Sequence, residues 1–482
     1  MAFEKATNID DMRRLYAFFL FHPERVMNRT GITSLVLAFI IVTFFLAGTG
    51  SAETGPVVPK VLGIRDAVRI AVAHNPAAKA AEAKVSAAEE RLTEAKSGLY
   101  PRVGVSGTYN RTTSPMMAFG TKLNQGRIGS EDFLPDRLNN PDAVDDYGLT
   151  VSADWFLFDS GQTWYGTRQA RMGREAAGLG RDRMTQEIIA RTVSSYNGFL
   201  LVRENLKTTQ QALKTAEATL KLVNSRFENG LVVESDLLQT EVHIADLKQR
   251  VFQVESMVSI SRAALCAAMG VDPGTPFEPG DELTSDPETT ASLDEWLKTA
   301  EHKRPDLLAM REQEAAAETE IKKARAARLP GVALSGEYST HADGINEGHD
   351  SYSIGARVTL NLFSGFQVSA RVREAKANLR EIRAGCEGLV QSISVETRTA
   401  YYQAKSAWEE IKVTAAAETQ ANEALRIVRD RYKNGLLTIV ELLNSELSLQ
   451  QTRTNHFRAI HDYNEARMKL ALSAGTLDET LQ

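Results

Sequence analysis

The chain has 482 residues, 24% of them charged and only 7% aromatic, with a formal net charge of -6. That length admits two or three domains or one large repeated unit, and the composition is not that of a disordered chain. A weakly acidic sequence without Lys/Arg blocks lacks the clustered positive charge that phosphate neutralisation needs, so nucleic acid is set aside as a partner.

Taken in chain order, the first informative stretch is "MNRTGITSLVLAFIIVTFFLAGTGSAE". It places Arg29 before an apolar run from Ile32 to Leu46, followed by the small residues Gly50, Ser51 and Ala52. About fifteen apolar residues fall short of the roughly twenty that a membrane helix needs, so residues 1–52 read as an N-terminal extension and a signal peptide cut near Ala52. No later segment is long and apolar enough to cross a membrane as a helix. An exported chain of this kind is either soluble or a β-barrel.

The rest of the chain is written twice. At an offset of 205, Phe158 pairs with Phe363, Gly230 with Gly435, Arg262 with Arg467 and Gly270 with Gly475. Upstream the pairing resumes at an offset of 229, with Pro76 on Pro305 and Pro101 on Pro330. The extra residues of the first copy lie between Tyr109 and Tyr147. This defines repeats over 53–270 and 293–475, a Pro/acid-rich linker over 271–292 and a tail over 476–482.

Each repeat is expected to carry a strand pair. The first copy has strands over about 101–111, with Val103, Val105, Gly107 and Tyr109 alternating, and about 147–158, with Tyr147, Leu149, Val151, Ala153, Trp155 and Leu157 on one face. The second has strands over about 330–340, through Val332, Leu334, Gly336 and Tyr338, and about 351–363, through Tyr352, Ile354, Ala356, Val358 and Leu360. Asp154 and Arg357 lie on the wet face. Ten to twelve residues is the length a tilted membrane strand needs, and Trp and Tyr belong at the lipid interfaces. Tyr147, Leu149, Val151, Trp155, Tyr352, Ile354, Val358 and Leu360 are therefore expected to face outer-membrane lipid. Four strands cannot close a barrel, so the chain must assemble.

Between the strands run two proline-free zones, Ser160 to Glu228 and Gly365 to Lys433, each roughly 100 Å long as a helix. Leu206, Leu213, Leu220 and Phe227, interleaved with Ala216 and Val223, predict a coiled-coil seam, kept in the second copy by Ile411, Ala421, Leu425, Val428 and Tyr432. Each zone stops at Asn-Gly and then resumes helical pattern. The tips are thus expected over about 229–236 and 434–441, built by Arg226, Asn229, Gly230 and Leu231 in one copy and by Arg431, Asn434, Gly435 and Leu436 in the other.

The doubled tip motif, the Pro-led strand entries and the turns "LFDSG" and "LFSGF" together resemble the TolC-like outer-membrane efflux protein family, from about Val61 to Leu477. The resemblance implies a mixed α+β membrane protein: a homotrimer whose four strands per chain build a twelve-stranded β-barrel, continued by an α-helical tunnel across the periplasm. It implies further that the tips meet a periplasmic adaptor and its inner-membrane transporter, for efflux or type I secretion. By the same resemblance, Asp236 and Glu441 fall where members place acidic residues lining the closed periplasmic aperture, and Tyr432 matches the tyrosine of the tip network. Leu437 stands where some members carry a basic latch residue and Asn444 where a second acid often sits, so closure is expected to rest on packing and hydrogen bonds. The tip residues Arg226, Asn229, Gly230, Leu231, Arg431, Asn434, Gly435 and Leu436 become the expected adaptor contact.

Nothing in the sequence points to catalysis or a cofactor: there is no H-E-x-x-H, no P-loop and no G-x-S-x-G elbow. His341 and His349, eight apart on a polar loop, read as solvated before they read as a metal pair. Cys266 and Cys386 read as buried thiols. The alternative reading is an exported coiled-coil adaptor or scaffold protein, which shares the helices and the export signal but has no use for amphipathic membrane strands.

Overall fold

Two helices of 67 residues each, Gln162–Glu228 and Gln367–Lys433, dominate the computed structural model. It describes residues 58–477 apart from 289, 346 and 347. The expected signal peptide, its cleavage point and the tail from 478 onward lie outside the described residues.

The paired helices of the two copies match in length, whereas their strands do not. Short helices α1 (Ile64–His74) and α2 (Pro76–Ser97) match α7 (Leu293–Lys303) and α8 (Pro305–Ala326), at 11 and 22 residues in each copy. Between them in the first copy lie α3 (Pro115–Asn124), a 3-10 turn at Ser130–Phe133 and α4 (Pro135–Asn139). The long helix α5 (Gln162–Glu228) and its 36-residue return α6 (Glu234–Met269) match α9 (Gln367–Lys433) and α10 (Ile439–Ala474).

Within each repeat the residue that follows the first short helix packs on the end of the return helix. In the first copy the Asn75 side chain donates to Ala268 O at 2.8 Å, and in the second the buried Arg304 guanidinium reaches the equivalent carbonyl, Ser473 O, at 3.3 Å. Gly270 and Gly475 close the return helices with φ of 72° each, and a Cβ on either would stand 2.7 or 2.9 Å from the Cα of Asn75 or Arg304. Glycine is needed there for both conformation and space.

The linker folds back on this junction. A parallel pair joins β1 (Val61–Leu62) to β4 (Glu278–Pro279), and Asp281 Oδ2 accepts from Ile64 N–H and from the Tyr196 hydroxyl, both at 2.8 Å. Tyr196, Phe199, Leu265, Cys266, Met269 and Phe277 form the largest apolar core here. Both cysteines are free. Cys266 is buried, whereas Cys386 is only partly so, which departs from the expectation that both thiols are enclosed.

At the far end of the long helices lies one antiparallel sheet of four strands, ordered β2 (Arg102–Thr112), β3 (Val144–Asp159), β5 (Gly331–Ala342) and β6 (His349–Thr359). Directly opposed residues share a face. Tyr109, Tyr147 and Ala342 therefore stand in one row and Val105, Val151, Tyr338 and Tyr352 in another, all on the apolar side. Two expectations shift. A bulge between Phe156 and Phe158 leaves Leu157 unpaired and moves Phe158 opposite Val332, so Phe158 replaces Leu157 in the apolar face. Leu360 lies just beyond the last residue of β6.

The helical seam also differs between copies. In α9, Leu425 and Tyr432 are buried as the spacing predicts. In α5 the expected Ala216 and Val223 are buried, with Thr208, Thr209 and Thr219 buried beside them, while Leu206, Leu213 and Leu220 are half-buried and Phe227 is exposed. The two hairpins turn different faces toward their neighbours, although their backbones are the same length.

Candidate functional site at the helical tips

Both tips are the same backbone device. In the first, Gly230 (φ 66°) donates to Phe227 O at 2.9 Å and Leu231 to Arg226 O at 2.8 Å; in the second, Gly435 (φ 73°) donates to Tyr432 O at 2.9 Å and Leu436 to Arg431 O at 3.0 Å. These paired bonds satisfy the last helical carbonyls, and only a left-handed residue places the chain to make them. Asn229 and Asn434 add side-chain donation to Ser225 O (2.6 Å) and Asp430 O (2.9 Å).

The side chains break this symmetry. Arg226 leaves its own tip and crosses to the other, with its guanidinium 5.0 Å from the Tyr432 ring centre and one N–H donated to the Tyr432 carbonyl. Its repeat-mate Arg431 stays exposed. Tyr432 is 2% exposed, packed in a cluster with Val223, Leu425, Ile439 and Leu442, and its hydroxyl has no hydrogen-bond partner among the described residues. Burial pushes the phenol up, the Arg226 charge pulls it down and the Asp236 charge raises it further. Asp236, in the first turn of α6, therefore lies close enough for its charge to bear on Tyr432.

Glu441 is held differently. It closes a capping box with Thr438: the Glu441 carboxylate accepts from Thr438 N–H at 2.8 Å and from its hydroxyl at 3.0 Å, while Glu441 N–H donates back at 3.4 Å. That bond from the Thr438 N–H holds the exposed carboxyl below the usual glutamate range. The first copy has Val233 in place of Thr438 and makes no such cap, so Asp236 is not tied back. The two expected aperture acids thus occupy equivalent helical positions with unequal freedom. Leu231 and Leu436 are exposed at the ends of the two turns.

A residue that sequence reasoning passed over stands nearby. Glu446 is 7% exposed; its Oε1 accepts from Thr219 Oγ1 of α5 at 2.8 Å and lies 3.4 Å from Arg429 of α9, while its Oε2 has no partner among the described residues. The signal was present, since Ile439, Leu442, Glu446 and Leu449 make one apolar stripe with an acid in it.

At the opposite end, Tyr147, Leu149, Val151, Trp155, Tyr352, Ile354 and Val358 are all exposed on one face of the sheet. β2 and β6 each pair on one side alone within the chain. His341 and His349, expected on a polar loop, stand directly opposed on β5 and β6, with His341 Nδ1 3.1 Å from Asp146; among the described residues no group of three or more His, Cys, Asp or Glu is arranged to hold a metal.

Comparison with known proteins bears on both ends of this molecule. The model of a family described as "Outer membrane efflux protein" matches residues 67–271 and 296–476. The alkaline protease secretion protein AprF of Pseudomonas aeruginosa is 24% identical, covering 87% of this chain and 85% of its own length. The outer membrane protein TolC of Salmonella enteritidis is 22% identical over 84% of this chain and 80% of its own. Among solved structures, the Campylobacter jejuni CmeC outer membrane channel superposes with a TM-score of 0.73 at 17% identity, covering 89% of this chain and 91% of that one.

Proposed function

This chain belongs to the outer membrane efflux protein family, and from that membership we propose that three copies form one duct from the periplasm to the exterior. The family is one of channel proteins rather than enzymes, and its place is the outer membrane, with the helices extending into the periplasm. One observation carries the reading: a four-stranded sheet with one apolar face and two unpaired edges, mounted on helices of 67 residues. Exposed strand edges are a liability unless paired or closed. Pairing β6 of one copy with β2 of the next in a ring of three gives twelve strands, no edges, lipid on the apolar face and water within.

On that assembly the repeats over 53–270 and 293–475 supply six similar staves. Their tips, at about 229–236 and 434–441, converge as the periplasmic aperture, with Arg226 and Tyr432 at the contact between hairpins and Asp236 and Glu441 in the first turns of the return helices. Leu231, Leu436, Asn229, Gly230, Asn434, Gly435 and Arg431 present the surface that meets a periplasmic adaptor, which in turn couples to an inner-membrane transporter. The relative named for alkaline protease secretion supports polypeptide export as one cargo class.

The test is reconstitution of detergent-purified protein into planar bilayers, with its oligomer mass measured in the same detergent. Discrete conductance from a trimer is expected. A water-soluble, non-conducting monomer refutes the duct.

A further inference from the structure

The long segment between β2 and β3 is folded and turns toward the wet side of the sheet. Its own contacts hold it together: Lys122 pairs with Asp132 at 2.8 Å, Gly129 N–H donates to Asp132 at 2.9 Å, and Phe119 meets Phe133 edge-on at 5.7 Å. α3 buries Ala118, at 1% exposure. The segment is then fastened to the sheet. Gln125, 7% exposed, donates through Nε2 to Asp145 O (2.7 Å), Asp146 Oδ1 (3.1 Å) and Ala342 O (3.1 Å). Arg127 pairs with Asp343 at 2.9 Å.

The register fixes the side on which this happens. Thr108, Gly148, His341 and His349 are opposed across all four strands, so they share a face, and it is the face opposite Tyr109, Tyr147 and Leu149. A Cβ on Gly126 would lie 3.2 Å from Nδ1 of His349 and 3.7 Å from its Cβ. Gly126 therefore sits against the wet-face row, next to the Asp146–His341 contact of 3.1 Å. Ser339, in the next row inward opposite Thr150, is only 7% exposed.

We propose that residues 113–143 form an inward-folded cap that narrows the exterior mouth of the duct and limits the size of what can leave it, with Gln125, Asp146 and His341 as its latch. This rests on the channel reading, which makes the wet face the inside. A helix with its side chains is about 10–12 Å across. A twelve-stranded barrel lies between the side-chain-filled interior of about eight strands and the open water channel of about sixteen, so three such helices crowd its mouth.

The test is thiol access from outside intact cells to Ser152→Cys, a duct-face position deeper than the cap. It does not depend on the aperture at the other end. A small charged methanethiosulfonate and a polyethylene-glycol maleimide are compared in three backgrounds: the otherwise unchanged chain, Gln125→Ala/His341→Ala, and a chain with residues 115–141 replaced by a short Gly-Ser turn. The chain bearing only Cys266 and Cys386 sets the background. The small reagent is expected to react alike throughout. The polymer is expected to react about fivefold faster or more once the latch is broken, the factor that losing one ordinary hydrogen bond gives when local opening limits access. Equal polymer rates in the capped chain and in either assembled variant overturn the cap. If the shortened chain does not assemble, the point variants decide alone. If the small reagent fails to reach Ser152→Cys from outside in every background, the channel reading fails instead.

Discussion

Arg226→Ala removes a cation that links the two tips within a chain, and its effect can be sized from the geometry. The guanidinium donates to the Tyr432 carbonyl and stands 5.0 Å from a ring that is 2% exposed. A charged hydrogen bond contributes about 1.5–3 kcal/mol and a partly desolvated cation–π contact about 1–2, although the two are not additive. If about 1 kcal/mol of this per chain is lost when the tips part, three chains bias the closed state by about 3 kcal/mol, or roughly a hundredfold in the open-to-closed ratio. Single-channel recording of reconstituted Arg226→Ala should therefore show higher open probability or larger conductance. Arg226→Lys should fall between, because lysine keeps the charge and loses the planar stack. Tyr432→Phe is the discriminating variant. The hydroxyl is buried without a partner among the described residues, so removing it should leave the gate unchanged, whereas Tyr432→Ala should open it. Wild-type conductance in Arg226→Ala, or opening in Tyr432→Phe, would refute a closure based on the ring and cation.

The remaining predictions concern charge, fit and pH. Asp236→Asn should lower cation selectivity in reversal-potential measurements more than Glu441→Gln does, because Glu441 is engaged in its own helix cap. Gly475→Ala should destabilise by well over about 1 kcal/mol in denaturant unfolding, because the site combines φ of 72° with backbone atoms 2.9 Å from the new Cβ. Arg304→Met should cost about 3 kcal/mol by leaving Asp306 and Glu396 without their shared cation. Burial would raise the Asp306 carboxyl, but the hydrogen bonds and charge of Arg304 outweigh it and hold the carboxyl below its ordinary value. A depressed carboxylate adds stability above its unfolded value of about 4, and that stability is lost as pH falls through the lower folded value. Melting between pH 6 and 3 should show a loss in the wild type that Arg304→Met lacks in part.

Much of the architecture is legible in the sequence because duplication makes weak signals test one another. A lone Asn-Gly is an ordinary turn, but two at an offset of 205, each after a long proline-free run, fix equal hairpins, and helices of 67 and 36 residues recur in both copies. Strand alternation is legible as far as the bulge at Leu157, which no period-two pattern can announce, since the extra residue is apolar like its neighbours. The capping box is also readable, as Thr438, Ile439, Val440 and Glu441, and that pattern alone separates Glu441 from Asp236, whose repeat has Val233 at the cap position. The Arg226 crossing is not legible, because the residue and its target belong to different hairpins 206 positions apart. The same holds for the cap at the sheet, whose loop composition gives no periodicity and whose direction is set by Gln125 and Gly126 meeting strands far along the chain.

The illegible contacts at the tips have a physical origin. Backbone repetition requires that glycines, cap geometry and helix lengths be kept in both copies, because each copy must make the same turns. Closure makes the opposite demand. Six identical tips meeting at one axis would set like residues against like, whereas an arginine from one hairpin type needs an aromatic ring on the other. The pairs Phe227/Tyr432, Val233/Thr438 and Asn75/Arg304 occupy equivalent places and differ in chemistry. At the tips, one member of each pair is exposed or uncapped while the other is buried or capped. At the tips, divergence between copies falls on the side chains that meet across hairpins, while the turn glycines and the helix lengths are kept. Reading the differences within the repeat, rather than its matches, is what locates the contacts proposed to open and close.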